Sequence, residues 1–104
     1  MTFIIILYAI NSNLSKSNLH YTTFSLKNFS INANSYYGGT ITDIKSNTSL
    51  STIFGLGGFQ VNNAYCFFST CMYDLIEDKI VFTIYNTRPS TITVSVYIRL
   101  LGFL

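Results

Sequence analysis

From Thr91 to Leu100 apolar and polar side chains alternate almost without a break. Ile92, Val94, Val96, Ile98 and Leu100 fall on one side. Thr91, Thr93, Ser95, Tyr97 and Arg99 fall on the other. A period of two carried by β-branched residues predicts a half-buried strand. The first set is expected to line a core, the second to face solvent or a sister subunit. Upstream, Ile80, Phe82 and Ile84 alternate with Val81, Thr83 and Tyr85 in a second strand. Between the two lies the polar break Asn86-Thr-Arg-Pro-Ser90. Asn and Ser bond their own backbone in turns, and Pro89 cannot donate to a ladder. The pattern therefore predicts a long antiparallel hairpin over residues 79–100.

The rest of the chain repeats this grammar. Phe3–Ile10 is a continuous apolar run, too short for a membrane span of about 20 residues. It reads as a buried or interface strand, with a signal segment or a truncated shaft as the alternatives. Residues 11–18 form a polar connector. Tyr21–Ile31 reads as a strand whose parity switches, because Phe24 and Leu26 are even while Phe29 and Ile31 are odd. A bulge at Lys27-Asn28 accounts for the switch. Turn clusters at 32–35, 45–49 and 62–63 separate further strands at Thr40–Ile44, Leu50–Val61 and Ala64–Tyr73. Seven or eight short strands at this spacing predict an all-β fold, an antiparallel, jelly-roll-like β-sandwich. Residues 1–20 are expected to supply an N-terminal strand and connector, and residues 21–104 the sandwich.

Composition agrees and narrows the function. Asn, Ser and Thr make up 34 of 104 residues, while charged residues make up 10%, against a norm of about 25%. The net charge of +2 comes from scattered lysines and arginines. No basic cluster is present to track phosphates, so nucleic acid is not an expected partner. A polar, weakly charged and apolar-rich chain also suits a surface partly covered by sister subunits.

Motifs for chemistry are weak. Gly55-Leu-Gly-Gly58 lacks the spacing of a phosphate loop and reads as a kinked strand. His20 is the single histidine and has no motif partner. Asp74, Glu77 and Asp78 match no calcium loop and read as a solvated turn. Cys66 and Cys71, five apart on one strand, would point to opposite faces and read as free thiols. No catalytic residue, metal site or cofactor is expected. The binding candidates are Tyr36, Tyr37, Tyr65 and the Asn62-Asn63 turn. Exposed tyrosine rings stack on sugar rings, and Asn amides bond hydroxyls without carrying charge.

Three stretches carry a family resemblance: Phe29-Ser-Ile-Asn-Ala-Asn-Ser-Tyr-Tyr-Gly-Gly-Thr-Ile-Thr42, Leu50-Ser-Thr-Ile-Phe-Gly-Leu-Gly-Gly58, and Lys79 to Leu101 with its strand, Asn-containing turn and alternating strand. Together they resemble the C-terminal head domain of phage tail-fibre and baseplate receptor-binding proteins, over about residues 21–101. The resemblance implies a β-sandwich head, a homotrimer at the tip of a virion appendage. It implies contact with other virion proteins and binding of a host-surface glycan or protein without catalysis. It transfers no receptor-contacting residue. The chain departs from such proteins at its start, where some twenty residues stand in place of a long shaft. The alternative is a secreted or surface-anchored β-sandwich carbohydrate-binding module.

Overall fold

A computed structural model describes residues 19–104. Phe3–Ile10, expected to form a strand, lies outside the described residues. Among the described residues there are six strands: β1 (Leu19–Ile31), β2 (Tyr36–Ile41), β3 (Thr52–Val61), β4 (Cys66–Asp74), β5 (Lys79–Asn86) and β6 (Ile92–Phe103). One short 3-10 turn, Lys45–Asn47, stands between β2 and β3. The strands form two antiparallel three-stranded sheets, ordered β1-β6-β3 and β2-β5-β4. A single apolar cluster fills the space between them. The fold is the expected all-β sandwich, with six described strands instead of seven or eight. The expectation had counted Phe3–Ile10, and β1 passes its parity switch as one strand.

The long C-terminal hairpin is not formed. β5 pairs with β2 and β4, while β6 pairs with β1 and β3. Each is the centre of its own sheet. Their apolar faces meet across the core, where Ile80, Phe82, Ile84, Val94, Val96, Ile98 and Leu100 are buried. Burying a side chain of this size contributes about 1.5–3 kcal/mol. The five-residue link crosses from one sheet to the other at the end of the sandwich. Asn86, wholly buried, governs that corner. Its Nδ2 donates to the carbonyls of Ile31, Asn32 and Ser90 at 3.0–3.1 Å, and its Oδ1 accepts the Arg88 N–H at 2.9 Å. The β1–β2 crossing runs alongside, with Asn34 N donating to Arg88 O and Asn86 N to Ser35 O. Two inter-sheet corners are thereby tied together.

The parity reading of β1 holds. Its register shifts between Leu26 and Phe29, and Asn28 has φ +56°, a left-handed conformation that Asn tolerates better than most residues. The Asn28 N–H donates to Ser95 Oγ at 3.0 Å. That contact, with Asn62 Oδ1 on the Ser95 N–H at 2.8 Å, leaves Ser95 buried instead of facing solvent as its parity suggested. β2 begins at Tyr36, not Thr40, and ends at Ile41. The glycine-rich run lies within β3, which kinks through two register shifts, at Ile53/Gly55 and Leu56/Gly58.

A register shift in β4 changes the cysteine geometry. β4 slips register between Phe68 and Thr70. The slip restores Cys71 to the inner parity of Cys66, so both thiols turn toward the core and not to opposite faces. Both are free, Cys66 buried and Cys71 half-buried.

Candidate functional site

The outer face of the β2-β5-β4 sheet carries the strongest candidate. In register, Tyr36 on β2 stands opposite Tyr85 on β5, and Tyr85 opposite Phe67 on β4. Alternation sends these three side chains outward, because Tyr37, Ile84 and Phe68 take the inner positions. The Tyr36 and Tyr85 rings lie 4.6 Å apart and tilted, and the Phe67 and Tyr85 rings 5.8 Å apart. Tyr36 and Phe67 are 65% and 51% exposed, so the row is open to solvent. Two inter-strand spacings make it roughly 10 Å long.

Tyr65 stands two residues before Phe67, at the β4 start. Its carbonyl accepts from both the N–H and the hydroxyl of Thr87, at 3.0 and 2.6 Å. This holds it against the β5–β6 link, and the Arg88 guanidinium lies 4.3 Å over its ring. A cation over the ring face fixes the ring and leaves guanidinium edges able to donate.

The five residues anticipated from sequence therefore part ways. Tyr36 and Tyr65 are on the surface. Tyr37 packs inward, stacked on Phe29 at 4.5 Å and against Phe82. Asn62 spends its Oδ1 on the Ser95 N–H, closing the end of the β3–β6 ladder. Asn63 accepts the Tyr65 N–H at 2.8 Å in an Asx turn. Both amides commit their Oδ1 to main-chain N–H groups, while the Asn62 side chain remains exposed. Tyr85, Phe67 and Arg88 belong to the same surface and were not singled out. Outward parity marked the two aromatics, but only the register brings them into a row with Tyr36.

The acidic turn also has a structural explanation. Asp74 Oδ1 accepts the N–H groups of Ile76 and Glu77. Both Asp78 carboxylate oxygens take the Lys45 N–H, and Oδ1 takes the Tyr73 hydroxyl at 2.8 Å. Burial and the neighbouring Asp78 push the Tyr73 phenol up to about 12. Among the described residues no three His, Cys, Asp or Glu side chains come together as metal ligands, and no helix is long and apolar enough to cross a membrane.

Comparison with known proteins does not add an identity. No family model, curated protein or solved structure matches the chain. A functional reading rests on the site itself.

Proposed function

We propose that this protein is a non-enzymatic adhesion domain whose aromatic row Tyr36–Tyr85–Phe67 binds a host-surface glycan. The row is the observation that carries the reading. Its rings offer apolar faces to sugar C–H groups, and the Tyr hydroxyls and Arg88 supply donors at the margin. The surrounding sheet surface is nearly uncharged, with Gly38, Thr40, Thr70, Met72, Val81 and Thr83 at the outward positions. A rigid sheet holds the rings in place without the entropy cost of ordering a loop.

Placement at the tip of a virion appendage, as a homotrimer, is the more specific form of this proposal. It draws on the resemblance of residues 29–42 and 50–58 to tail-fibre heads. The third stretch, residues 79–101, no longer supports it as a hairpin, since its strands lie in different sheets. Exposed apolar residues away from the row, among them Phe54, Leu75 and Ile76, favour a surface covered in an assembly. Multiple weak sites on a trimer would gain strength by avidity.

The test is a glycan-array screen followed by titration of Tyr36→Ala and Phe67→Ala. Loss of binding by about tenfold or more in both variants, with unchanged thermal melting, is expected. Binding untouched by either substitution would refute the assignment of the site. Light scattering on the full chain tests the assembly: a strict monomer at high concentration would remove the trimer.

A further inference from the structure

The opposite sheet holds a concave feature of different chemistry. On the outer face of β1-β6-β3, a trough of about 420 Å3 is lined by Thr23, Gly58, Phe59, Gln60, Tyr97 and Arg99. The register explains why it is hollow. Thr23, Arg99 and Gly58 form one row across three strands, and Ser25, Tyr97 and Gln60 the next. Gly58 leaves the place opposite Arg99 empty, and a Cβ there would meet nothing within 4 Å. Its φ of +154° belongs to a region essentially reserved for glycine. A register shift beside it re-aims the strand, as bulges near binding sites often do.

Arg99 is positioned for a ligand. Its guanidinium lies 4.3 Å over the Tyr21 ring, which holds it in place. Among the described residues its guanidinium makes neither an ion pair nor a hydrogen bond, and none of the chain's four Asp and Glu side chains lines the trough. Its fork of donors is therefore available. Around it stand neutral hydrogen-bonding groups: the Thr23 hydroxyl, the Gln60 amide and the Tyr97 hydroxyl. Phe59 borders the trough between Gly58 and Gln60, but its side chain takes the inner parity opposite Ile98 and packs edge-on against Phe68 at 4.7 Å.

We propose that this trough binds a sugar unit that carries a carboxylate. A planar carboxylate matches a guanidinium through two parallel hydrogen bonds. One arginine without a supporting lysine suits one such charge better than a phosphate. The neutral donors and acceptors suit ring hydroxyls. Two rows of three strands cover roughly 10 by 7 Å, the footprint of one sugar ring. The inference rests on the adhesion reading and adds to it a second subsite, on the other sheet, that selects acidic glycans.

The test uses the full chain and two oligosaccharides of the same length and linkage, one of hexuronate units and one of the neutral hexose. Binding is followed by amide shifts in two-dimensional NMR. The expected result is at least tenfold tighter binding of the acidic oligosaccharide, weakening with salt. Shifts should centre on Thr23, Gly58, Gln60, Tyr97 and Arg99. Arg99→Gln should abolish the preference and Arg99→Lys retain part of it, with Gln60→Ala weakening both ligands and Tyr36→Ala leaving the trough shifts unchanged. Arg99 is on the solvent face, so melting of Arg99→Gln should match the parent. Equal binding of the two oligosaccharides, or a preference that survives Arg99→Gln, overturns the proposal. Shifts confined to Tyr36, Phe67 and Tyr85 overturn it while leaving the aromatic site standing. Absence of shifts with either sugar overturns the trough proposal and leaves the aromatic site to its own glycan-array test.

Discussion

The side-chain amide of Asn86 donates to the main-chain carbonyl of Ile31 at 3.1 Å, across 55 positions of the chain. It joins the end of β5 in one sheet to the end of β1 in the other. With the Asn32 and Ser90 carbonyls also on Nδ2 and the Arg88 N–H on Oδ1, every polar atom of this buried side chain has a partner. Asn86→Ala would strand acceptors in or beside the core. Losing partners of buried polar groups costs about 1–3 kcal/mol for each group left unsatisfied. We expect a loss of about 3 kcal/mol in urea unfolding with an unchanged slope. Asn86→Asp should be at least as damaging at pH 7, where a carboxylate would face three carbonyls, and milder near pH 3, where it can be protonated.

Two glycines should respond differently to the same substitution. A Cβ at Gly39 would lie 2.2 Å from Phe82 Cζ, while a Cβ at Gly102 would lie 1.9 Å from the Thr52 carbonyl oxygen. Gly39→Ala is expected to cost about 1–3 kcal/mol through overpacking. Phe82→Leu should recover part of that loss, giving a favourable coupling in a double-mutant cycle. Gly102→Ala meets backbone, which cannot be trimmed, and no side-chain substitution should rescue it. Gly38→Ala, with open space at its Cβ, should fold and melt normally.

The thiols should be inert in the native protein. Burial pushes Cys66 up from its ordinary value and Cys71 up to about 11. The thiolate is the reactive species, so at pH 8 neither cysteine should react quickly with an aromatic disulfide reagent. Two thiols should be released on denaturation. Rapid labelling of Cys71 in folded protein would contradict its placement.

The Tyr73–Asp78 pair predicts an alkaline limit. The Tyr73 pKa is raised in the folded state to about 12, first by burial and then by Asp78. The folded form therefore holds the phenolic proton more tightly than the unfolded form does. Stability from this group is fully present below about pH 10. It is lost as pH rises toward 12. Tyr73→Phe should lower stability near neutral pH by about 1 kcal/mol, the typical net value of one hydrogen bond. The gap between parent and variant should close above pH 10. Urea midpoints at pH 7, 9 and 11 check both parts, with the pairwise difference isolating Tyr73 from the other tyrosines.

Much of the strand content was legible because alternation reports directly on burial. Ile80, Phe82, Ile84 and the four residues Val94, Val96, Ile98 and Leu100 lie inward as their parity required. The same parity argument located the β1 bulge, since Phe24 and Leu26 can share a face with Phe29 and Ile31 only if a residue is inserted. It failed for Cys71, where the slip in β4 falls among Phe68, Ser69 and Thr70 and leaves no clear parity break in the polar stretch. Of the binding candidates, Tyr36 and Tyr65 emerged at the surface. Tyr37 went inward because it alternates with Tyr36, while Asn62 and Asn63 each commit their Oδ1 to a main-chain N–H, of Ser95 and of Tyr65.

The sequence by itself determined that the chain is built of strands, which side of most of them is apolar, and where most of the polar turns fall. These are local properties set by a period of two and by turn chemistry. Only the tertiary structure decided which strands are neighbours. All strand edges offer the same N–H and C=O groups, and a five-residue link can close a hairpin or span the roughly 10 Å between packed sheets. The bonds of Asn86 to Ile31, Asn32 and Ser90 anchor the second of these choices. That choice aligns Tyr36 with Tyr85 and Phe67 on one sheet, and Arg99 with Gly58 on the other.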